Sequence, residues 1–361
     1  MKQQQPAGNS RAKGPAPSGL LLLNKKSGIT SFDSLNEVKR ALGTGKVGHT
    51  GTLDKFASGL LLVLTGRALK LSPWFSLCSK EYTGTISFGT ETDTLDPEGL
   101  VVGEGPVPSQ EALEKALPLF RGDILQAPPL YSAIHIDGKR ASERARSGES
   151  LEMKKRPVTI HALELLSWAP PLATIRVRCS SGTYIRSLAR DIALAAGSRA
   201  HLIALKRTQV AGFHLTSEIE NDPGTPESIT AALRPIDKAV FKALNIPFFE
   251  VDRDSVQKII QGKALSQILE ENINHRDHRG GHGGTQSCDQ KNLSVSSVSS
   301  LCDLCGSNSS DSYSAGVFCG DEFIAMIERQ EGRWKYGYVY GTDAGNVNRK
   351  VAEVEEGKER G

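Results

Sequence analysis

The sequence predicts a protein of mixed strands and helices, with a larger N-terminal unit and a small β-rich unit after it. Three observations carry this. The uninterrupted apolar run at residues 60–64, bounded by Gly59 and Gly66, has the form of a central strand covered on both faces. Ile175, Val177 and Cys179 alternate with Thr174, Arg176 and Arg178, and directly afterwards Ile185, Leu188, Ala189, Ile192 and Ala196 recur at helical spacing. Near the C-terminus the short runs AGVFCG, FIAMIE and KYGYVYG suit a compact β unit.

In chain order, residues 1–18 are polar and rich in Gly and Pro, and read as a disordered tail. Residues 19–24 form a short apolar run suited to a buried strand. Thr30 or Ser31 can cap the following helix, whose face is Leu35, Val38 and Leu42 and whose stop is Gly43. Residues 82–88 alternate with Tyr82, Ile86 and Phe88 on one side, and the turn-rich TETDTLDPEG follows. The strand ending at Cys179 has a basic outer face, and the turn at residues 183–186 joins it to a helix that stops at Gly197. At such a turn, unpaired amides and Arg186 can meet an anion. Residues 216–230 turn polar with two prolines and read as a linker or a poorly packed connection. The expected organisation is a main domain over 19–232, a small domain over 233–350 with a flexible insertion at 270–314, and a charged tail over 351–361.

The 361 residues suffice for a large core and about two domains. Net charge is only +3, so a nucleic-acid role must come from local clustering. Such a cluster exists: Lys139, Arg140, Arg144, Arg146, Lys154, Lys155 and Arg156 face only four acids there, beside Tyr131 and the basic strand. A solvated helix face would show the same charge run. No apolar run approaches the ~20 residues that span a bilayer, and the start lacks a signal-peptide core, so a cytoplasmic protein is expected. Of six cysteines, Cys78 and Cys179 read as reduced core residues. Cys302 and Cys305 have metal-ligand spacing downstream of His275, His278 and His282, but Cys288 and Cys319 stand singly where a zinc ribbon wants a second pair. A disordered insertion reads the stretch better than a structural zinc site.

The densest stretch is GHTGTLDKFASG at 48–59, where Asp54 stands among Gly and Thr with His49 upstream and no second acid nearby. Residues 43–48 also match the loose G-x-G-x-x-G pattern. They follow a helix instead of a strand, and no acid stands at the ribose-binding distance. A phosphate-binding P-loop fails because Lys46 is followed by Val47. Taken alone, Asp54 could still be a turn or capping residue.

Six segments in order resemble the bacterial TruB family, which makes pseudouridine in the T-loop of transfer RNA. They are KKSGITSFD, GHTGTLD, KEYTGTISFGTETDTLD, QAPPLYSA, CSSGTYIRSLARD and LIALKRTQV, spread over residues 20–213. The resemblance implies an α+β pseudouridine synthase fold, with a mixed, largely antiparallel sheet flanked by helices, an RNA-gripping insertion and a small PUA-like C-terminal domain. By the same resemblance Asp54 is the catalytic aspartate, Arg186 the arginine that pairs with it and Tyr82 the base-stacking tyrosine. Tyr184 is a pocket aromatic, Leu205 an apolar wall, His49 the filler of the space left by the flipped nucleotide, and Lys25 a further substrate-binding residue. Lys55 and Lys26 stand where the family usually has Pro, His135 where Lys is common, and Ala211-Gly212 departs from the V-G-x-F pattern.

This chemistry breaks the N1–C1′ bond, turns the captive uracil and joins C5 to C1′, without redox or phosphoryl steps, so neither metal nor organic cofactor is expected. Asp54 could attack C1′ or remove a sugar proton. Arg186 could clamp it with two parallel charge-assisted hydrogen bonds. The lack of a paired carboxylate speaks against hydrolytic glycosidase chemistry. The expected partner is the T-arm of transfer RNA, bound by a monomer without membrane, guide RNA or obligatory protein partner. A non-catalytic RNA-binding module and a guide-dependent or ribosomal-RNA synthase are the rivals.

Overall fold

The long apolar run becomes the strand Ser58–Thr65, and its environment explains why it carries no polar side chain between Leu60 and Leu64. Leu61 and Val63 pack with Leu35, Val38, Val47 and Ile229, while Leu60, Leu62 and Leu64 alternate to the opposite side and are equally buried. The structure, a computed structural model, describes residues 16–132, 134–136, 138–147, 153–222, 224–263, 265, 268, 313–330 and 333–340. Cys288, Cys302, Cys305, His275, His278 and His282 lie outside the described residues. Among those described, no helix is long and apolar enough to cross a membrane.

The chain divides into two compact units, the first comprising 1–72, 79–210 and 214–235. In it a mixed sheet runs in the order Gly19–Lys25, Ser58–Thr65, Ala200–Val210, Lys80–Phe88, Leu172–Cys179, Arg156–Ala169 and Gly122–Gln126. Every neighbouring pair is antiparallel except Ser58–Thr65 with Ala200–Val210, which is parallel. The α+β, largely antiparallel expectation therefore holds. Lys80–Phe88 alternates strictly between buried and half-buried positions, as its sequence predicted. Helix Ile185–Ala195 lays Ile185, Leu188, Ala189 and Ile192 on the sheet, against Tyr82, Ile86, Ile175, Val177 and Leu202. A short hairpin, Thr90–Thr92 with Val101–Glu104, projects from the strand ends.

Two sequence expectations fail. Neither candidate caps the first helix, Leu35–Ala41: Thr30 Oγ1 accepts from the Asp33 amide at 3.1 Å in the turn before it, and Ser31 is turned elsewhere. Its hydroxyl instead accepts from the Leu53 amide at 2.8 Å and donates to the Leu53 carbonyl at 3.0 Å. Nor are residues 216–230 a loose linker. They build helices Ser217–Glu220 and Pro226–Ala232, capped by Thr216 and Thr225, and Ile229 is buried in the core. Pro226 is tolerated because the first helical position has no amide to lose.

In the second unit, strands Phe248–Glu250, Tyr313–Cys319, Glu322–Gln330 and Arg333–Val339 form one sheet in that order. Its core gathers Val251, Ile259, Val317, Ile324, Ala325, Ile327 and Val339, with helix Arg253–Ile260 contributing Ile259. The three sequence-predicted β runs are the last three of these strands, and Phe248–Glu250 adds a fourth.

Candidate active site

A fork in the sheet creates the site. One edge of Ser58–Thr65 is fully paired with Gly19–Lys25. The other edge is shared: Ser58 and Gly59 pair with Lys206 and Arg207, whereas Val63–Thr65 pairs with Val47–His49. Between these pairings the ladder carbonyls need other donors. The Thr50 amide serves Leu62 at 3.0 Å, and Arg207 Nε serves Leu60 at 2.7 Å. The loop carrying Asp54 leaves the sheet at this fork.

That loop is held almost entirely through its main chain. Lys25, with 0 % exposure, donates Nζ to the carbonyls of Ala57 at 2.6 Å, Lys26 at 3.1 Å and Lys55 at 3.3 Å. Ser31 grips Leu53 from both sides, Ser27 Oγ reaches the Phe56 carbonyl at 2.7 Å, and Arg207 Nη2 reaches the Gly51 carbonyl at 3.1 Å. Lys25 was expected to bind substrate, yet its ammonium is spent inside the protein. Burial, then the Arg207 charge, pulls its pKa down, and Asp54 offsets part of this, leaving it at about 8. Lys55, standing where Pro is usual, forms an exposed ion pair with Glu98 at 3.5 Å.

Arg186, on the first turn of helix Ile185–Ala195, has a side chain only 5 % exposed. Nη2 donates to Asp54 Oδ1 at 2.9 Å and to the Tyr131 carbonyl at 3.1 Å. Nη1 donates to the Thr94 carbonyl at 2.7 Å and to Asp96 Oδ2 at 3.3 Å. The expected pair of parallel bonds between Arg186 and Asp54 is therefore a single bond, because the other terminal nitrogen serves a second carboxylate. That second acid also corrects the sequence argument from a lone aspartate. Asp96 is buried and occupied: besides Arg186, its carboxylate accepts from Thr94 Oγ1 at 2.6 Å and from the Glu98 amide at 3.0 Å. Asp54 keeps a side chain 36 % exposed, so the two acids differ in access. Between Thr94 and Asp96 sits Leu95 at φ 61°, an unusual conformation for a bulky residue, which aims its two neighbours at one guanidinium.

Of the other expected residues, Tyr82 and Tyr184 lie close enough to Asp54 to feel its charge. Tyr82 and Leu205 belong to the core cluster that contains Leu53, next to Asp54. Leu205 lies opposite Gly84, where a side chain would crowd Leu205 Cδ1 at 3.4 Å. Tyr82 is nearly enclosed; burial raises its phenol pKa, which the charge and hydrogen bond of Arg207 oppose. Tyr184 is the N-cap of the Arg186 helix and is half-buried. His49 ends the strand Val47–His49, and its buried Nδ1 has no partner among the described residues. Burial and then the Arg207 charge lower its pKa, which favours the neutral imidazole. For Asp54, burial raises the pKa; Arg186 opposes by charge and hydrogen bond, Asp96 adds to the rise and Lys25 opposes it.

Sequence reading missed Asp96, Arg207 and Gln126. Asp96 lay in a segment whose Thr, Asp, Pro and Gly already explained themselves as turn formers. Arg207, 2 % exposed and without an ion-pair partner among the described residues, bonds mainly to carbonyls. Arg207→Met should leave the Leu60 and Gly51 carbonyls bare, at about 1–3 kcal/mol each. Denaturant melts measure this, and a titration of His49 should show its pKa rising once the neighbouring charge is gone.

Residues 39–185 match the model of the TruB family pseudouridylate synthase N-terminal domain. The tRNA pseudouridine synthase B of Borreliella burgdorferi (strain ZS7) is 46 % identical over 201 residues, covering 55 % of this chain and 71 % of that one. Its counterpart in Azoarcus sp. (strain BH72) is 44 % identical over 253 residues, covering 68 % and 83 %. That of Bordetella avium (strain 197N) is 45 % identical over 240 residues, covering 65 % and 96 %. A chain in the structure of an H/ACA RNP bound to a substrate RNA containing 2'-deoxyuridine shares the fold with a TM-score of 0.57 at 19 % identity, covering 90 % of this chain and 85 % of that one.

Proposed function

Because the chain belongs to the TruB family of pseudouridylate synthases, we propose that it isomerises the T-loop uridine of transfer RNA, position 55, to pseudouridine, with Asp54 acting at the sugar. The observation that carries the role of Asp54 is its single charge-assisted bond to a guanidinium that three further acceptors hold still. A carboxylate fixed in this way loses little freedom on reaching C1′ or a sugar proton. Breaking N1–C1′ and forming C5–C1′ leaves a C5 proton to depart and N1 to be protonated, so the reaction balances without a co-reactant.

The target base must first leave its stack, at a cost of a few kcal/mol. Tyr82 stacks on it, worth about 1–3 kcal/mol, with Leu205 and Tyr184 completing the pocket and a neutral His49 occupying the vacated space in the loop. Lys25 contributes by holding the Asp54 loop through its carbonyls. The chain works as a cytoplasmic monomer without guide RNA or protein partner, a reading supported by bacterial relatives that it covers over 71–96 % of their length.

Incubating the purified protein with T-arm RNA and mapping pseudouridine tests the reading. Conversion approaching one site per RNA is expected, and unaltered uridine under turnover conditions overturns it. A pH prediction accompanies it. Asp54 must be ionised, and its folded-state pKa is raised, so activity should fall on the acid side at a pH above that of an ordinary aspartate. Measuring kcat/KM from about pH 4 to about pH 9 locates that limb.

A further inference from the structure

We propose that Gln126 is a positioning residue of this reaction: its amide holds the main chain of Tyr184, and through it the helix turn that presents Arg186 to Asp54. The inference rests on reading Asp54 and Arg186 as the reaction centre.

Gln126 ends the edge strand Gly122–Gln126 and is 1 % exposed. Its Oε1 accepts from the Tyr184 amide at 2.8 Å and its Nε2 donates to the Tyr184 carbonyl at 3.1 Å. Both ends of one side chain thus engage both polar groups of one residue, as a neighbouring strand would. Tyr184 is the N-cap of helix Ile185–Ala195 and offers no side-chain cap of its own, while its carbonyl also accepts the first helical bond, from Leu188, at 3.0 Å. An amide at this position would otherwise stand unpaired, free to meet an anion as the sequence suggested. Gln126 takes it instead, and the turn is fixed.

The chain that follows reinforces the hold. The Ala127 carbonyl accepts from Arg190 Nη2 at 3.3 Å, and the Tyr131 carbonyl accepts from Arg186 Nη2 at 3.1 Å. Residues 126–131 therefore touch the helix start at Tyr184, Arg186 and Arg190. Of these contacts, that of Gln126 alone sets the main chain, and Arg186 lies two residues beyond it. Any buried amide must be satisfied somewhere. Satisfaction by the two groups of a single residue fixes register as well.

The test uses the full chain and T-arm RNA. Wild-type turnover is measured first; its absence overturns the reading of the reaction centre and is distinct from failure of this proposal. Given turnover, Gln126→Met, which keeps the length and loses both hydrogen bonds, should lower kcat by about 30-fold or more while KM stays within about twofold. Its acid limb should also move to higher pH, because a loosened Arg186 no longer favours ionised Asp54 as strongly. Gln126→Glu keeps the acceptor for the Tyr184 amide but sets a carboxylate oxygen against the Tyr184 carbonyl, so a fall in kcat at unchanged KM is expected from it as well, even should the Met variant not fold. Wild-type kcat and acid limb in a folded variant, a loss confined to KM, or a loss that tracks only the unfolded fraction overturns the assignment.

Discussion

Asp54→Asn should bind T-arm RNA as the unaltered chain does and isomerise it at least about 10⁵-fold more slowly, a loss of about 7 kcal/mol in transition-state stabilisation. Asparagine is nearly isosteric, and its oxygen can still accept from Arg186 Nη2, so the loop and its carbonyl contacts persist. What disappears is the negative charge that either route at C1′ requires. The same substitution should not destabilise the fold. With its folded-state pKa raised, Asp54 favours folding while protonated and loses that contribution as pH rises through the folded value. At neutral pH its ionisation works against the fold, and Asn removes that burden. Gel-shift affinity, single-turnover rates and thermal melts on one preparation check all three statements. A near-normal rate would remove Asp54 from the mechanism.

Arg186→Met should be damaging in both respects. The guanidinium is enclosed and serves two carboxylates and two carbonyls, from segments as far apart in sequence as Asp54, Thr94, Asp96 and Tyr131. Removing it leaves Asp96 charged in the interior beside bare carbonyls, which costs about 3–5 kcal/mol. Turnover should fall by at least about 10³-fold, since nothing then orients Asp54. Adding Asp96→Asn to this variant should restore part of the stability, by relieving the buried charge, without restoring turnover. Recovery of turnover in the double variant would show that Arg186 serves only to neutralise Asp96. Arg186→Lys should behave more like Met than like the parent, because one ammonium cannot span four acceptors arranged around a planar fork.

Period and punctuation made four strands of the main sheet legible, while Gly122–Gln126, Arg156–Ala169 and Ala200–Val210 went unread. Lys80–Phe88 and Leu172–Cys179 alternate in sequence as they do in burial, and helix Ile185–Ala195 follows its stripe to the stop at Gly197, where φ is 71°. Residues 216–230 misled because polar, proline-containing composition describes short capped helices as well as linkers; the buried Ile229 decides between them only in three dimensions. Ser31 misled for a related reason, since a hydroxyl near a helix start can cap that helix or reach another loop.

Asp54 and Arg186 could be named from their motifs although 132 residues separate them, since each carries its chemistry in its own side chain. Lys25, Arg207 and Gln126 work on main-chain carbonyls and amides, which every residue possesses and no sequence pattern marks. Asp96 needed the left-handed turn at Leu95 to bring it to the guanidinium. The amino-acid order by itself determined which side chains hold charge, which strictly periodic segments are strands and which family of reaction is at hand. Only the tertiary structure decided how those charges are shared and held. The fork in the sheet leaves carbonyls that distant residues must satisfy, and a buried guanidinium distributes its donors according to whatever acceptors the fold delivers.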